Sequence, residues 1–549
     1  MVTLRPYQEE AVTAIHNEWD SGIKKTLLVL PTGAGKTITF SKVIENVVTS
    51  GERALILAHR GELLDQAADK LKKTTGLTCA VEKAENSASN SLCPVTVGSV
   101  QSLMREKRLA KFPKDYYKTI VVDEAHHILS KSYQSVLDYF HDAKVLGVTA
   151  TPDRGDKKNL GQYFETLAYE YTLPKAIKEG YLCKIEAQTI PLKLDLTSVS
   201  TTQGDFNAAE LGSALDPFLE QIADEMLSTG CMQRKTVVFL PLIATAQKFM
   251  NVLNDKGFKA AEVNGTSKDR EEILEDFNQN RYNVLCNAML LTEGWDQPDV
   301  NCIVMLRPTK IRSLYCQCVG RGTRIHPGKD SLLLLDFLWH VERHELCHPA
   351  HLIAESDDIA KKMTELIEDA DGVVDLEDIE EQAASDVLTE REEALAKLLK
   401  EMTTRKRKLV DPIQFEMSIQ AEDLVDYVPS FGWEMAPPSE KQLEALEKKG
   451  IFSDEIECAG KAAKLLDKLH ARQVEGLSTP KQIRLLEKKG FKHVGTWEFA
   501  QAQKLIGEIA ANGWRVPYHI DPFHYIPEPT MKNVFDEFEP FVNNFSHGA

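Results

Sequence analysis

The chain has 549 residues, 43% apolar and 27% charged, with 65 Lys+Arg against 83 Asp+Glu for a formal charge of −18. At roughly 100–200 residues per domain this is three or four domains, each large enough for its own core, and no run of about 18 apolar residues is present to span a membrane. Taken alone, the negative charge argues against a partner with a phosphate backbone, because such binding is largely electrostatic.

The first residues, Met1-Val2-Thr3-Leu4-Arg5-Pro6-Tyr7-Gln8, lack the basic-then-apolar pattern of a signal peptide, and the ten cysteines include no C-x-x-C pair. The expectation is a cytoplasmic protein with reduced thiols and no membrane contact. Residues 1–175 then alternate helical patterns with short apolar runs at Thr26–Leu30, Ala54–Leu57, Val95–Val97, Thr119–Val122 and Lys144–Val148. Residues 176–345 repeat the arrangement, with runs at Thr236–Leu240, Ala260–Val263, Asn283–Cys286, Cys302–Leu306 and Ser331–Leu335. Strands separated by helix-length segments imply an α/β class with two tandem parallel-sheet domains.

Residues 346–430 read as an acidic, helical connector. Within it Glu355–Glu393 holds 16 Asp+Glu against 3 Lys+Arg, and a basic cluster follows at Arg405–Lys408. This composition predicts an exposed helical or partly disordered segment. It also supplies most of the negative charge, so the rest of the chain is nearly balanced and leaves room for a basic strand track. Residues 431–516 contain a repeat with an offset of 40: Ser439–Gly450 recurs as Thr479–Gly490. Each copy, about 439–476 and 479–516, opens on an N-cap residue and closes its first helix at glycine, which predicts a two-helix hairpin and an α-helical carboxyl-terminal region. Residues 517–549 form a tail rich in aromatic and acidic residues. The repeats or this tail are candidates for contacting a protein partner, and the paired lysines of the repeats equally suit nucleic acid.

The strongest local pattern is Pro31-Thr32-Gly33-Ala34-Gly35-Lys36-Thr37, between a strand and a helix. Backbone N–H groups of such a loop can wrap a phosphate, Lys36 can reach the terminal phosphates, and Thr37 can ligate Mg²⁺. The apolar run Thr119–Val122 ends in Asp123-Glu124-Ala125-His126. Asp123 at a strand tip suits a second Mg²⁺ contact, and Glu124 can orient an attacking water. The segment His340, His344, Cys347, His348 and His351 is weighed as a metal site but reads better as packed, because Pro349 interrupts it.

Together these residues resemble superfamily 2 helicases of the DEAH type over about residues 1–345. Leu4–Gln8 is similar to the Q motif, in which Arg5 and Gln8 serve adenine, and Pro31–Thr37 is similar to the Walker A form of that superfamily. Ala58–Leu63 and Val97–Ser102 resemble motifs Ia and Ic, which implies backbone contacts to nucleic acid from His59, Arg60, Ser99 and Gln101. Thr149-Ala150-Thr151-Pro152 resembles motif III, implying with His126 a coupling role for Thr149 and Thr151. Asn287–Asp296 resembles motif V, implying nucleic-acid contact by Asn287 and Thr292 and nucleotide contact by Gly294 and Asp296. Gln317–Arg324 resembles motif VI, with Gln317 in the catalytic set and Arg321 and Arg324 as arginine fingers. The motif combination is most similar to the RadD-like and restriction-enzyme-motor group. The resemblance implies two RecA-like domains, ATP and Mg²⁺ as cofactors, ATP hydrolysis, and 3′ to 5′ travel on DNA in single-stranded or forked form; the alternatives are an RNA helicase, or a non-unwinding motor or scaffold within a larger defence or restriction complex.

Overall fold

Short β-branched runs with helical segments between them fold as two parallel sheets. The computed structural model describes residues 3–528 apart from 59–60, 84–85, 151–159, 197–198, 203–204, 266, 268, 289–290, 292–294, 296, 341–345, 355, 371, 403–408, 426, 428 and 454–455. The first sheet contains β1 (Lys25–Val29), β2 (Ala54–Ala58), β3 (Cys79–Glu82), β4 (Val95–Ser99), β5 (Thr119–Asp123), β6 (Lys144–Thr149) and β7 (Thr166–Glu170), in the order β3-β4-β2-β5-β6-β1-β7. Every pairing in it is parallel. Every residue of β2 and β4 is buried, as expected of a parallel sheet covered by helices on both faces. Helix α1 (Pro6–Asp20) precedes β1 and helix α2 (Lys36–Thr49) follows it.

The face of the sheet is closely packed at Gly147 on β6, where an added Cβ would collide with the ring of Phe164, in the turn segment before β7. Gly147→Ala is therefore expected to destabilise the domain by about 1–3 kcal/mol through overpacking. Thermal unfolding of the two chains checks this.

The second sheet contains β8 (Lys184–Asp195), β11 (Thr236–Phe239), β12 (Ala260–Val263), β13 (Val284–Asn287), β14 (Cys302–Met305), β15 (Ser331–His340) and β16 (Val374–Asp375). The intervening β9 (Thr201–Thr202) and β10 (Asp205–Phe206) form a separate antiparallel ribbon. The sheet order is β12-β13-β11-β14-β15-β8-β16, parallel except where β16 runs against β8. Helix α3 (Arg312–Val319) carries the Gln317 segment from β14 towards β15. A single buried cluster runs from Tyr7 and Ile15 of α1 through both sheets.

The acidic segment corrects the expectation of an exposed connector. Helix α4 (Asp357–Asp369) buries Ile359, Ala360, Met363 and Ile367 in that same cluster, and β16 extends the second sheet. Helix α5 (Leu376–Met402) adds Leu376, Ala383 and Val387. Average charge hid a helical periodicity: apolar residues recur every three or four positions while the carboxylates take the other face. The first compact unit accordingly runs to Val387 rather than ending near 345.

The second compact unit, Leu388–Ala549, has its own core around Leu446, Leu465, Ile483 and Leu505. It holds α6 (Glu440–Lys449), α7 (Ala459–Val474), α8 (Pro480–Glu487) and α9 (Phe499–Ala511). The two copies share their capping bonds. Ser439 and Thr479 form capping boxes with Gln442 and Gln482, whose Nε2 atoms donate to Ala459 O and Phe499 O, each at 3.2 Å. Gly450 and Gly490 both take left-handed φ angles, 100° and 95°. Pro480 lies against Gly450 as Pro522 lies against Gly490, so Asp521-Pro522 begins a third turn in the manner of Thr479-Pro480. The Arg405–Lys408 cluster and the end of the tail, 529–549, lie outside the described residues. Among the described residues no helix is long and apolar enough to cross a membrane.

Candidate active site

The loop between β1 and α2 emerges at the carboxyl ends of the first sheet's strands, the edge where α/β folds bind ligands. Gly33 and Gly35 take φ angles of 91° and 84°, a left-handed backbone that side chains resist, and this curls the loop into the start of α2 at Lys36. Thr32 and Ala34 are buried, while Lys36 and Thr37 are half-buried at the helix start. The loop is braced from α1: Tyr7 Oη donates to Ala34 O at 2.7 Å and Gln8 Nε2 donates to the same oxygen at 3.1 Å. Gln8 Oε1 accepts from the Arg5 backbone N–H at 3.0 Å, so this amide is tied to the loop and to its own helix cap. The Arg5 guanidinium lies 5.1 Å from the centre of the Tyr181 ring and bonds Tyr7 Oη at 3.2 Å.

Glu124 stands at the centre of the site. It has a left-handed backbone (φ 52°, ψ 60°), which costs a non-glycine residue about 1–3 kcal/mol. Its N–H donates to Asp123 Oδ1 at 3.0 Å. Lys36 Nζ reaches Glu124 Oε1 at 3.3 Å, while Gln317 Nε2 donates to Oε2 at 3.5 Å from the second domain. His126 Nδ1 lies 3.6 Å from Oε2. Burial, reinforced by the Glu124 charge, raises the Asp123 carboxyl above the usual carboxylate range. Burial opposes ionisation of Glu124 too, but Lys36, His126 and Arg321 outweigh it and hold its carboxyl low. Two adjacent carboxyl groups are thus driven in opposite directions, a pattern that assigns them different roles.

The second domain closes on the loop. A Cβ on Gly320 would sit 2.5 Å from Thr32 Cβ, and one on Gly33 would sit 3.3 Å from Arg324 Cγ. Arg321 is buried and donates from Nη1 to Trp295 O at 2.8 Å. The Gln317–Arg324 turn is held by a residue that sequence reasoning passed over. Lys329 Nζ donates to Gly322 O, to Arg324 O at 2.8 Å and to Pro298 O at 3.3 Å, matching the three donors of an ammonium. It sits in a turn, His-Pro-Gly-Lys-Asp, whose composition gives no sign of this. Lys329→Met is expected to cost about 1–3 kcal/mol per buried carbonyl left without a donor. In steady-state assays kcat should fall with little change in the KM for ATP.

Asn287 requires a correction. It was expected to touch nucleic acid, but it is fully buried at the end of β13, where Nδ2 donates to Val238 O at 2.9 Å and Oδ1 accepts from Leu291 N at 3.2 Å. An amide consumed on both sides presents nothing outward. Thr149 is also buried and gives its carbonyl to Leu30 N at 3.1 Å, linking the end of β6 to the loop. Ser99 is buried at the end of β4, whereas Gln101 is exposed. His59, Arg60, Thr151, Thr292, Gly294 and Asp296 lie outside the described residues. His348 is buried, and its backbone N–H donates to His351 Nδ1 at 3.0 Å. Among the described residues no group of His, Cys, Asp and Glu is arranged to hold a metal unaided.

Residues 1–154 match the family described as "Type III restriction enzyme, res subunit", and residues 219–326 match "Helicase conserved C-terminal domain". The chain is 32% identical over 378 residues to "Putative ATP-dependent helicase IRC3" of Saccharomyces cerevisiae, covering 65% of this chain and 54% of that protein. It is 26% identical over 375 residues to the Type I restriction enzyme EcoAI endonuclease subunit of Escherichia coli, covering 61% and 46%. It therefore spans about half the length of these curated relatives. In fold it is similar to the solved ATP-dependent Type ISP restriction-modification enzyme LlaBIII bound to DNA, with a TM-score of 0.52 at 15% identity over 93% of this chain and 42% of that one. With two parallel sheets meeting at Glu124, the chain carries the two domains these family models describe and is similar to an ATP-dependent helicase and to a restriction-enzyme subunit.

Proposed function

We propose that this chain is an ATP-hydrolysing motor that couples closure of its two-domain cleft to movement along DNA, as a helicase or translocase. One observation carries the reading: Lys36 from one domain and Gln317 and Arg321 from the other converge on the single carboxylate of Glu124. ATP would lie in this cleft, with loop 31–37 around its phosphates, Lys36 on the terminal ones, and Arg5 and Gln8 towards the base. Glu124 would orient the attacking water while Arg321 and Arg324 meet the charge that develops on the phosphoryl oxygens. Because those arginines belong to the second domain, hydrolysis would require closure.

The residues present fit a magnesium ion. Asp123 is a half-buried carboxyl pushed upward by its surroundings, a group that a nearby hard cation would favour in its charged form, and Thr37 offers a hydroxyl at the start of α2. Bound there, Mg²⁺ would neutralise phosphate charge. Gln101, and by the motif resemblance His59, Arg60 and Thr292, stand as contacts to one strand. Contacts of this kind go mainly to phosphates and give weak sequence preference. All ten cysteines are thiols, which suits a reducing compartment such as the cytoplasm.

A panel of ATPase assays at one salt concentration tests the reading, using single-stranded, duplex and forked DNA and single-stranded RNA as activators. Stimulation by single-stranded or forked DNA is expected. Stimulation by RNA alone would replace DNA as the track.

A further inference from the structure

The second repeat carries an exposed surface that the motor does not use. Residues 488–497 hold three lysines and no carboxylate, and residues 509–523 hold one arginine and one carboxylate, Asp521, which pairs with His524 at 2.8 Å, in a chain of net charge −18. The structure joins these stretches: Lys489 Nζ donates to Trp514 O, and Lys492 Nζ lies 4.2 Å from the centre of the Phe523 ring. Trp514, Tyr518 and Phe523 are 53%, 107% and 58% exposed. Trp514 is held outward on a left-handed backbone (φ 64°), an unusual state for a bulky residue. The first repeat is an internal control, because its matching residues 448–457 hold two lysines against three carboxylates, and Lys448 pairs with Glu444 at 3.5 Å. The helical scaffold is shared and the basic, aromatic surface belongs to the second copy alone.

We propose that Lys488, Lys492, Trp514, Arg515, Tyr518 and Phe523 form an accessory site for single-stranded DNA. Bases stack on the exposed rings and the cations meet the phosphates, a combination suited to a flexible strand whose bases are unpaired. The proposal rests on DNA being the motor's track and adds a second, sequence-tolerant contact outside the two RecA-like domains.

The test is fluorescence anisotropy of the full chain with a labelled oligo(dT) of about 20 nucleotides, over a salt series. Lys488→Glu/Lys492→Glu should flatten the slope of log Kd against log salt by about 1.4, roughly 0.7 per lost phosphate contact. Trp514→Ala should raise Kd about tenfold, and Tyr518→Ala, at a fully exposed position, reads stacking independently of the fold. Lys448→Glu in the first repeat should change neither quantity, and all variants should keep the wild-type melting temperature and DNA-free ATPase rate. Unchanged oligo(dT) affinity and slope in the second-repeat variants, with DNA still stimulating hydrolysis, would overturn this site and leave the motor reading standing. Loss of binding to oligo(U) RNA but not to oligo(dT) would also overturn it. Absence of any DNA stimulation in the wild-type chain would instead remove the motor reading on which the site rests.

Discussion

Arg321→Ala is expected to bind ATP and fail to hydrolyse it. The loop 31–37 proposed to hold the nucleotide and its Tyr7 and Gln8 braces belong to the first domain and do not depend on this side chain. Arg321 comes from the second domain, is buried, and acts on the Glu124 carboxylate through its charge. An arginine delivered to a transferring phosphoryl group is worth about 10³–10⁵ in kcat, so hydrolysis should fall by that order. Arg321→Lys should recover little, because an ammonium lacks the planar fork of the guanidinium. Single-turnover hydrolysis and equilibrium binding of a fluorescent ATP analogue separate the two effects. Equal losses in both would contradict the role assigned to Arg321.

Lys36→Ala should lower hydrolysis by at least about 10²-fold, the scale of removing one preorganised charge partner from a transition state. Its effect should differ in kind from that of Arg321, because on the proposed reading Lys36 would serve both substrate and site. Its ammonium lies 3.3 Å from Glu124 and lowers the carboxyl groups of both Glu124 and Asp123. Without it, two neighbouring half-buried carboxyl groups lose a nearby cation, and Glu124 should titrate upward. ATP binding should weaken as well, while the circular dichroism spectrum stays that of the wild type. A Lys36→Ala chain that hydrolyses ATP normally would contradict the placement of the phosphates.

The interior strands were legible because their residues are buried on both faces: Ala54–Ala58 and Val95–Ser99 read as apolar runs without any tertiary information. The strands missed are of another kind. Strands β3 and β7 lie at sheet edges, β16 is a two-residue strand, and β8 mixes Lys184, Glu186 and Gln188 with Pro191, a residue that argues against a strand when read locally. The acidic connector was misread because composition averages over a helix, whereas burial selects one face: Ile359, Met363 and Ile367 recur at four-residue spacing within it. The candidate site was legible where its chemistry is contiguous, at Pro31–Thr37, Asp123–His126 and Gln317–Arg324. Lys329 and Asn287 were not, because their partners come from distant strands and turns. The capping residues of the 40-residue repeat were legible, since Ser439 and Thr479 each bond a glutamine three positions on.

The central claim is that one half-buried carboxylate, gripped from both domains, makes hydrolysis depend on closure around DNA. Phosphate release at saturating ATP, with and without single-stranded DNA, tests this most directly in the wild-type and Glu124→Gln chains. The account predicts that DNA accelerates the wild-type chain and leaves Glu124→Gln inactive in both conditions. A DNA-indifferent wild-type rate, or a Glu124→Gln chain that hydrolyses ATP as fast as the wild type, would contradict it.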